Sequence, residues 1–556
     1  MADLTAAQIF AALHYRGNYV PAGYYTYGAP QVGQTWDGYS ATNNEPFDPN
    51  VWTGLNAGQS LALDQAMAAW DKVIRPNFTH TNPATQQTTI RVAFSNDTDL
   101  NNIWGYASTG NLENYITSNP SFTKAFLENS FVTNFGRLYD IWINAEHVSE
   151  SFTAGTYNYI ALVHELGHAI GLNHPFEGSN PLPAEWDNKR YSIMSYTDID
   201  EYVVSFERRA DNLLYGLRPW VNPTTPMSFD IQVAQQIYGA ETLAGAGADT
   251  YTFNQSSPTF ETIYDPSGMD TIDLSTHTRA SILNLTPGTW SSVDYFKISD
   301  QIAYWQAQFP TYSGSYIASL FSDASKVYEW KNNVFIMANT TIETVKAGSG
   351  ADSITSNAAD NSIFGGAGND TITDPSGSNY LRGDDGNDSL SGGTGFDDIN
   401  GNMGNDTARG GAGADWVVGG KDNDVLYGEA GNDIVYGNLG DDTCYGDDGN
   451  DTIRGGQADD WVIGGAGNDW LSGDRGGDAV SGGPGADIFH SSSGAGIDRV
   501  VDFSLAEGDR VLLDPGTAYT LRQSGADTIV DMGNGDQVIL VGVQLTSLTG
   551  NWIYIG

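Results

Sequence analysis

Cysteine is almost missing from this chain: Cys444 is alone among 556 residues, which excludes an intrachain disulfide framework and a multi-cysteine metal site. Cationic side chains are scarce as well. The 24 Lys and Arg face 68 Asp and Glu, and the formal net charge of −44 argues against nucleic acid as a partner. No uninterrupted apolar run approaches the roughly 20 residues that a membrane-spanning helix needs, so stable membrane insertion is not expected. The opening MADLTAAQIF has neither the basic flank nor the apolar run of a secretory signal peptide. A Gly-x-Ser-x-Gly elbow is also absent, which disfavours a lipase-type hydrolase.

The charge is unevenly spread. Between Val345 and His490 stand 25 Asp and one Glu against six Lys or Arg, a local balance of −20. A packed segment this acidic needs counter-ions, or it stays open and disordered. The same stretch has a nine-residue period. Asp recurs at Asp352, Asp370, Asp388, Asp397, Asp406, Asp415, Asp424, Asp433, Asp442, Asp451, Asp460, Asp469, Asp478 and Asp487, with Asn361 and Asn379 in the two other phases. Glycines surround most of them, and two positions after each comes a mostly apolar residue, from Ile354 to Phe489.

A flexible glycine-rich linker has no reason to keep an aliphatic beat. The calcium-binding nonapeptide of a parallel β-roll does. The pattern predicts short strands with the apolar residue inward, and turns that offer carbonyl and Asp oxygens to calcium, a hard cation. Successive half-turns alternate sides, so residues eighteen apart share one. Asn361 and Asn379 therefore weaken the calcium row at the N-terminal end of one side. Cys444 falls on the inward beat and reads as a small core hydrophobe.

A second stretch carries chemistry. Tyr159 to Pro175 reads YIALVHELGHAIGLNHP and places three of the chain's eight histidines within eleven residues. On a helix, His164 and His168 lie four apart on one face and can offer imidazoles to one ion. Glu165 sits beside that ion, placed as a general base for its water. Gly171 permits the turn that returns His174 as a third ligand. Three imidazoles leave an open position, as catalytic zinc requires. The bland alternative is a buried helix whose histidines are hydrogen-bonded core groups.

The pattern His164-Glu165-x-x-His168-x-x-Gly171-x-x-His174, with RYSIMSY at Arg190 to Tyr196, resembles the metzincin zinc endopeptidases, and within them the serralysin-like secreted proteases. The resemblance implies one catalytic zinc, several structural calcium ions and protein or peptide substrates. It gives Met194 the role of an apolar floor under the ligands. Tyr196 becomes a ligand of the resting metal that swings away and then donates to an oxyanion. Asp265 and Asp270, in a DxxGxDT-like pattern, become further calcium ligands. Leu138 to Ala145, LYDIWINA, resembles the edge strand above the cleft, where an extended peptide could pair. An extracellular monomer follows, exported through a type I secretion channel, although the final NWIYIG lacks the acidic residue that often precedes the apolar tail.

The expected fold is an α+β metzincin-like zinc protease domain followed by an all-β parallel β-roll with a β-rich C-terminal cap. We place an N-terminal segment with a short propeptide at 1–56, the catalytic domain at 57–243, a linking β-rich region at 244–344, the roll at 345–490 and the cap with its export signal at 491–556. Two stretches, 111–137 and 296–329, depart from the family as inserts without a motif. The first either narrows the cleft rim or decorates it. Two functions compete: a zinc endopeptidase, and a non-enzymatic calcium-dependent surface or adhesion protein with a degenerate protease domain. The intact ligand set and general base favour the first.

Overall fold

The computed structural model describes residues 4–13, 25–29, 52–75, 78–81, 90–95, 105–108, 139–144, 147, 149–177, 180–199, 201–210, 213–242 and 247–556. The insert expected at 111–137 thus lies outside the described residues. The chain divides into two compact units. One comprises Met1–Ala246, Ser256–Ser267 and Lys297–Thr340, and the other Gly247–Gln255, Gly268–Phe296 and Thr341–Gly556. Residues 244–344, read from the sequence as one linking region, are shared between both.

The first unit is α+β. Its sheet, among the described residues, runs Phe78–His80, Tyr25–Gly28, Ile90–Ser95, Tyr139–Asn144, Gly105–Ser108, with Trp52–Thr53 paired to the end of Ile90–Ser95. Tyr139–Asn144 is not the edge strand that the sequence suggested. It lies parallel to Ile90–Ser95 and antiparallel to Gly105–Ser108, which takes the outer place. Alternation within YDIWIN signals a strand, but it carries no information about which segment returns to cover its far side.

The Ala57–Asp71 helix opens on a capping box: the Asn56 side chain accepts from the Gln59 N–H and the Gln59 side chain from the Asn56 N–H, both at 3.0 Å. Its buried face carries Leu63, Ala66, Met67 and Trp70. The Trp70 indole donates to the Val163 carbonyl at 3.2 Å and so ties this helix to Tyr157–Ala169, the helix of the histidines. The Ser228–Tyr238 helix packs against Ala6–Leu13, which buries Ile9, Ala12 and Leu13.

The stretch 296–329, which carries no motif, has a packing role. Its helices Ile298–Gln308 and Gly314–Ser319 bring Ile317, Trp305 and Phe309 onto Tyr202, Val204 and Phe206. Tyr202 donates its N–H to the Lys326 carbonyl at 2.7 Å and accepts from the Tyr328 N–H at 2.9 Å. The insert is the apolar cover of the Ser205–Arg208 and Leu214–Leu217 hairpin.

The second unit is a parallel β-solenoid. Alternate half-turns feed two sheets, so that Asn379–Asp385, Asp397–Met403 and Trp416–Lys421 lie side by side in one, and Ser389–Ser391, Thr407–Ala412 and Val425–Ala430 in the other. The predicted inward beat holds: Ile354, Ile363, Ile372, Leu381, Leu390, Ile399 and their successors through Phe489, including Ala408 and Cys444, are buried. The second residue of most turns takes a positive φ, as at Gly366 (92°), Asn402 (77°) and Glu429 (70°), a conformation that glycine and asparagine adopt at least cost. The solenoid starts before the repeats. Thr271–Asp273 pairs with Thr344–Lys346, and Ile282–Asn284 with Ser353–Thr355. At the other end, antiparallel strands Thr520–Ser524, Asp527–Gly533 and Asp536–Leu540 form a β-rich cap.

Because one inward side chain serves each half-turn, that position should be far more sensitive than the outward residues beside it. Ile453→Ala should lower unfolding stability in saturating calcium by about 2–4 kcal/mol, whereas Thr452→Ala, its neighbour off the inward beat, should change it by less than about 0.5 kcal/mol. Denaturant unfolding followed by circular dichroism distinguishes them; equal effects would refute the one-sided ladder.

Candidate functional site

Three imidazoles converge at the end of the Tyr157–Ala169 helix. Thr156 caps its start by accepting from the Tyr159 N–H, and Gly171 (φ 96°) ends it by turning the chain back. That turn brings His174 to the pair on the helix. His168 Nε2 lies 3.0 Å from His174 Nε2, which lies 3.2 Å from His164 Nε2. The other ring nitrogens decide what these atoms are. His164 Nδ1 is 2.8 Å from the Ile193 carbonyl and His168 Nδ1 is 2.9 Å from the Leu172 carbonyl. A carbonyl only accepts, so each Nδ1 carries the proton, and in the neutral ring each Nε2 is left a lone pair. His174 Nδ1 faces Glu177 Oε1 at 3.0 Å and is oriented in the same sense.

Protonation does not relieve the crowding at His164 and His168: burial, then the neighbouring imidazole, pushes His168 down to about 4, and burial holds His164 well below the usual range. What fits three imidazole nitrogens at this separation is a cation. Nitrogens about 2.0–2.1 Å from a tetrahedral zinc stand roughly 3.4 Å apart, close to the spacing here.

Glu165 is buried beside this cluster, and Tyr196 lies across it. The Tyr196 ring stacks on His164 at 5.6 Å and sits 4.4 Å from His174. Partial desolvation, then the Glu165 and Glu177 carboxylates, raises its phenol above the ordinary value, so it stays an O–H donor at neutral pH.

A second layer, invisible to the motif, fixes these groups. Met194 is fully buried, and a Cβ on Gly167 would come within 2.6 Å of its Sδ: glycine in HELGH is what lets the methionine reach the helix. Asp230, also fully buried, accepts from Ser192 Oγ (2.6 Å), the Ile193 N–H (2.8 Å) and the Met227 N–H (2.9 Å). The Ile193 peptide therefore links the Asp230 carboxylate to His164. The Asn173 N–H donates to the Leu13 carbonyl at 2.7 Å, so the Ala6–Leu13 helix braces the loop that carries His174. An acid in the first turn of an apolar helix was the one sequence signal for Asp230; Leu13 had none.

The acidic ladder of the solenoid shows the same logic with oxygen. Each Asp Oδ1 accepts the N–H of the ladder residue eighteen positions earlier, as Asp388 does from Asp370 and Asp433 from Asp415, both at 2.8 Å. From Asp370 to Asp487, the Oδ2 of every ladder Asp is buried and accepts no hydrogen bond. Each of these residues has a glycine five positions before it, and the space where that glycine lacks a Cβ is lined by acceptors. A Cβ on Gly365 would lie 2.5 Å from Asp370 Oδ2 and 2.7 Å from the Gly383 carbonyl; on Gly410, 2.7 Å from Asp415 Oδ2 and 2.8 Å from the Gly428 carbonyl. Carboxylate and carbonyl oxygens facing one point without a donor suit calcium.

Three of the first four phases differ. Ala347, Ser356 and Asp374 replace the glycine before Asp352, Asn361 and Asn379. Asp352 accepts from the Ser281 and Gly348 N–H groups with its two oxygens. Asn361 Nδ2 donates to the Ile342 carbonyl at 3.0 Å. Asp265 and Asp270 are buried but stand outside the nine-residue ladder. The Asp265 N–H donates to Thr340 Oγ1 at 2.9 Å, and Asp270 Oδ1 accepts the Asp249 N–H at 3.0 Å.

Comparison with known proteins agrees with both patterns. The family model for the RTX calcium-binding nonapeptide repeat matches residues 337–372, 376–408, 409–444, 445–480 and 469–497. Serralysin of Proteus mirabilis is 26% identical over 361 residues, 61% of this chain and 60% of that protein. Serralysin of Photorhabdus laumondii is 24% identical over 58% of each. Metalloprotease AprA of Pseudomonas entomophila is 30% identical over 38% of this chain and 39% of its own. The chain thus spans about three fifths of the length of the first two relatives. Among solved structures, the extracellular lipase LipA from Serratia marcescens overlaps 34% of this chain and 40% of its own at 18% identity, with a TM-score of 0.16, too loose to bear on the fold.

Two outcomes follow from the buried acceptors. Burial first, then like-charged neighbours, raises Asp433 and Asp469 to about 7 and Asp424 and Asp460 to about 8. A carboxyl raised above its unfolded value, about 3.9, adds stability below that value and loses it as pH rises through the folded one. In chelator, the solenoid should therefore melt higher at pH 5 than at pH 8, and excess calcium should reverse the order. Circular dichroism melts test this, and a chelated solenoid that melts higher at pH 8 would refute it. Separately, Asp230→Asn should weaken zinc affinity about tenfold or more, read by competition with a chromophoric chelator, while Asp198→Asn should leave it unchanged.

Proposed function

Because the chain is serralysin-like in sequence and bears RTX calcium-binding repeats, we propose that it is a secreted zinc endopeptidase whose solenoid is held together by calcium. The observation that carries this reading is the convergence of three imidazole Nε2 atoms beside a buried carboxylate. Zinc bound there supplies a Lewis acid for the attacking water and the scissile carbonyl. Glu165 takes the proton from that water and passes it to the departing amine. Tyr196, its phenol kept protonated, donates to the carbonyl oxygen as negative charge develops. Met194 supports the ligands from below, and Asp230 and the Ala6–Leu13 helix hold the His164 and His174 carriers in place.

Calcium takes the glycine cradles from Asp370 to Asp487, each of which presents a buried carboxylate oxygen without a hydrogen bond. Asp352, Asn361 and Asn379 are left out, since side chains other than glycine occupy their cradles. The calcium rows thus start one rung later on the Asn side, at Asp397. Asp265 and Asp270 bind calcium outside the ladder. Scarce calcium inside the cell leaves the acidic repeats open for export through a type I channel, and millimolar calcium outside closes them.

Glu165→Gln tests the central assignment. It should keep stoichiometric zinc and lower casein or peptide hydrolysis by about 10²–10⁴-fold. Undiminished turnover in that variant, with contaminating protease excluded, would refute the mechanism; hydrolysis absent from the native protein as well would favour the binding-only alternative.

A further inference from the structure

In a typical rung of the ladder one carboxylate oxygen, Oδ1, takes a backbone N–H, and the other, Oδ2, is buried without a donor. Asn379 keeps the first half of that arrangement and reverses the second. Its Oδ1 accepts the Asn361 N–H at 2.9 Å, as a ladder Asp would. Its Nδ2 donates to Asp397 Oδ1 at 2.8 Å. A carboxylate only accepts, so the atom that faces it is the amide nitrogen. Asn361 repeats the reversal one turn earlier, with Nδ2 at 3.0 Å from the Ile342 carbonyl and 3.4 Å from that of Glu343. The buried Asn357 donates to the same Ile342 carbonyl at 2.7 Å and accepts the Ala359 N–H at 2.9 Å.

Asp374, five residues before Asn379, is met by donors too. Its Oδ1 accepts the Ser376 N–H at 3.0 Å, and its Oδ2 is buried without a hydrogen bond. Burial raises this carboxyl to about 6, and the Ser356 hydroxyl, the Ser376 N–H and the Asn379 amide act against that rise. The acceptor left over at Asn361, its Oδ1, is uncharged, and a neutral carbonyl costs far less to bury than a carboxylate. Asp352, on the other side, has an N–H on each oxygen. Apolar packing is also heavier here than in the repeats. Ile272 lies beside Val345 and Leu283 beside Ile354, and Leu274 and Leu285 add a second buried aliphatic residue to each of those half-turns.

We propose that the Asn361 and Asn379 amides do the work of the cation: the opening turns of the solenoid, residues 268–296 and 341–364 with Asn379 at their outer edge, stay closed when calcium is withdrawn. This rests on the calcium reading of the ladder, in which Asp370 and Asp397 are the first rungs to need the ion. Calcium-driven closure then extends an existing edge, and the costly pairing of the first parallel rungs across a long stretch of chain is already done.

The test is amide hydrogen exchange, read by mass spectrometry on the full-length protein in millimolar calcium and after dialysis over a chelating resin. Without calcium, peptides from 344–364 should keep their protection, while those from 397–480 exchange about tenfold faster or more. The paired substitution Asn379→Asp with Asp374→Gly rebuilds a calcium-type rung at that edge. Its 344–364 peptides should match the native protein in calcium and exchange about tenfold faster or more without it, since a buried carboxylate is then left uncompensated. If the native 344–364 peptides lose protection together with those of 397–480, the inference is overturned and the calcium reading stands. Protection of both segments without calcium overturns the calcium reading and this inference with it. A paired variant that stays protected without calcium overturns the role given to the amides. The native comparison holds whether or not that variant folds.

Discussion

Acceptors turned toward one another, with no donor between them, are the constraint on which both units depend. In the first unit they are nitrogen lone pairs, fixed by carbonyls behind His164 and His168. In the second they are carboxylate and carbonyl oxygens gathered where glycines leave room. Such an arrangement is unfavourable without a cation, because burial removes the water that would otherwise solvate it. Nitrogen in a tight triad suits zinc, and oxygen in repeated, roomier cradles suits calcium. The same electrostatic device thus yields a single compact cluster in one half and a distributed ladder in the other.

The two sites differ in how the fold supports them. Around the histidines, support comes from far along the chain: Trp70, Met194 and the carbonyl of Leu13 reach one short helix and its following loop, and Asp230 holds Ile193, whose carbonyl accepts from His164. The ladder has no such outside help. Each rung is held by its own inward side chain and by residues eighteen positions away, so its rigidity depends on the ions that neutralise the turns.

This difference explains what could be read from the sequence. His164, Glu165, His168 and His174 sit within eleven residues, and the Asp ladder repeats at a fixed interval, so local spacing suffices. The inward residues from Ile354 to Phe489, even Ala408 and Cys444, followed from that interval. Asp230 and Gly167 act through approaches between distant segments, and no period marks them. Thr271–Asp273 and Ile282–Asn284 join the solenoid without the calcium motif, because a rung requires only a short parallel strand and one buried aliphatic residue. Tyr139–Asn144 was legible as a strand but not as an interior one, since the segment that flanks it is set by the return of Gly105–Ser108.

The ladder also has a direction. From Asp370 to Asp487 each ladder Asp Oδ1 reaches back to the N–H eighteen residues earlier, and the last repeat is completed by Asp509, which accepts the Asp487 N–H at 3.1 Å from outside the nonapeptide array. The residue before it in the turn points the other way: Asn387 and Asn468 accept the N–H of Asn405 and Ala486, eighteen residues later. Each rung is thus clasped by side chains of both its neighbours, and a cut anywhere in the array leaves unmet groups on both new ends.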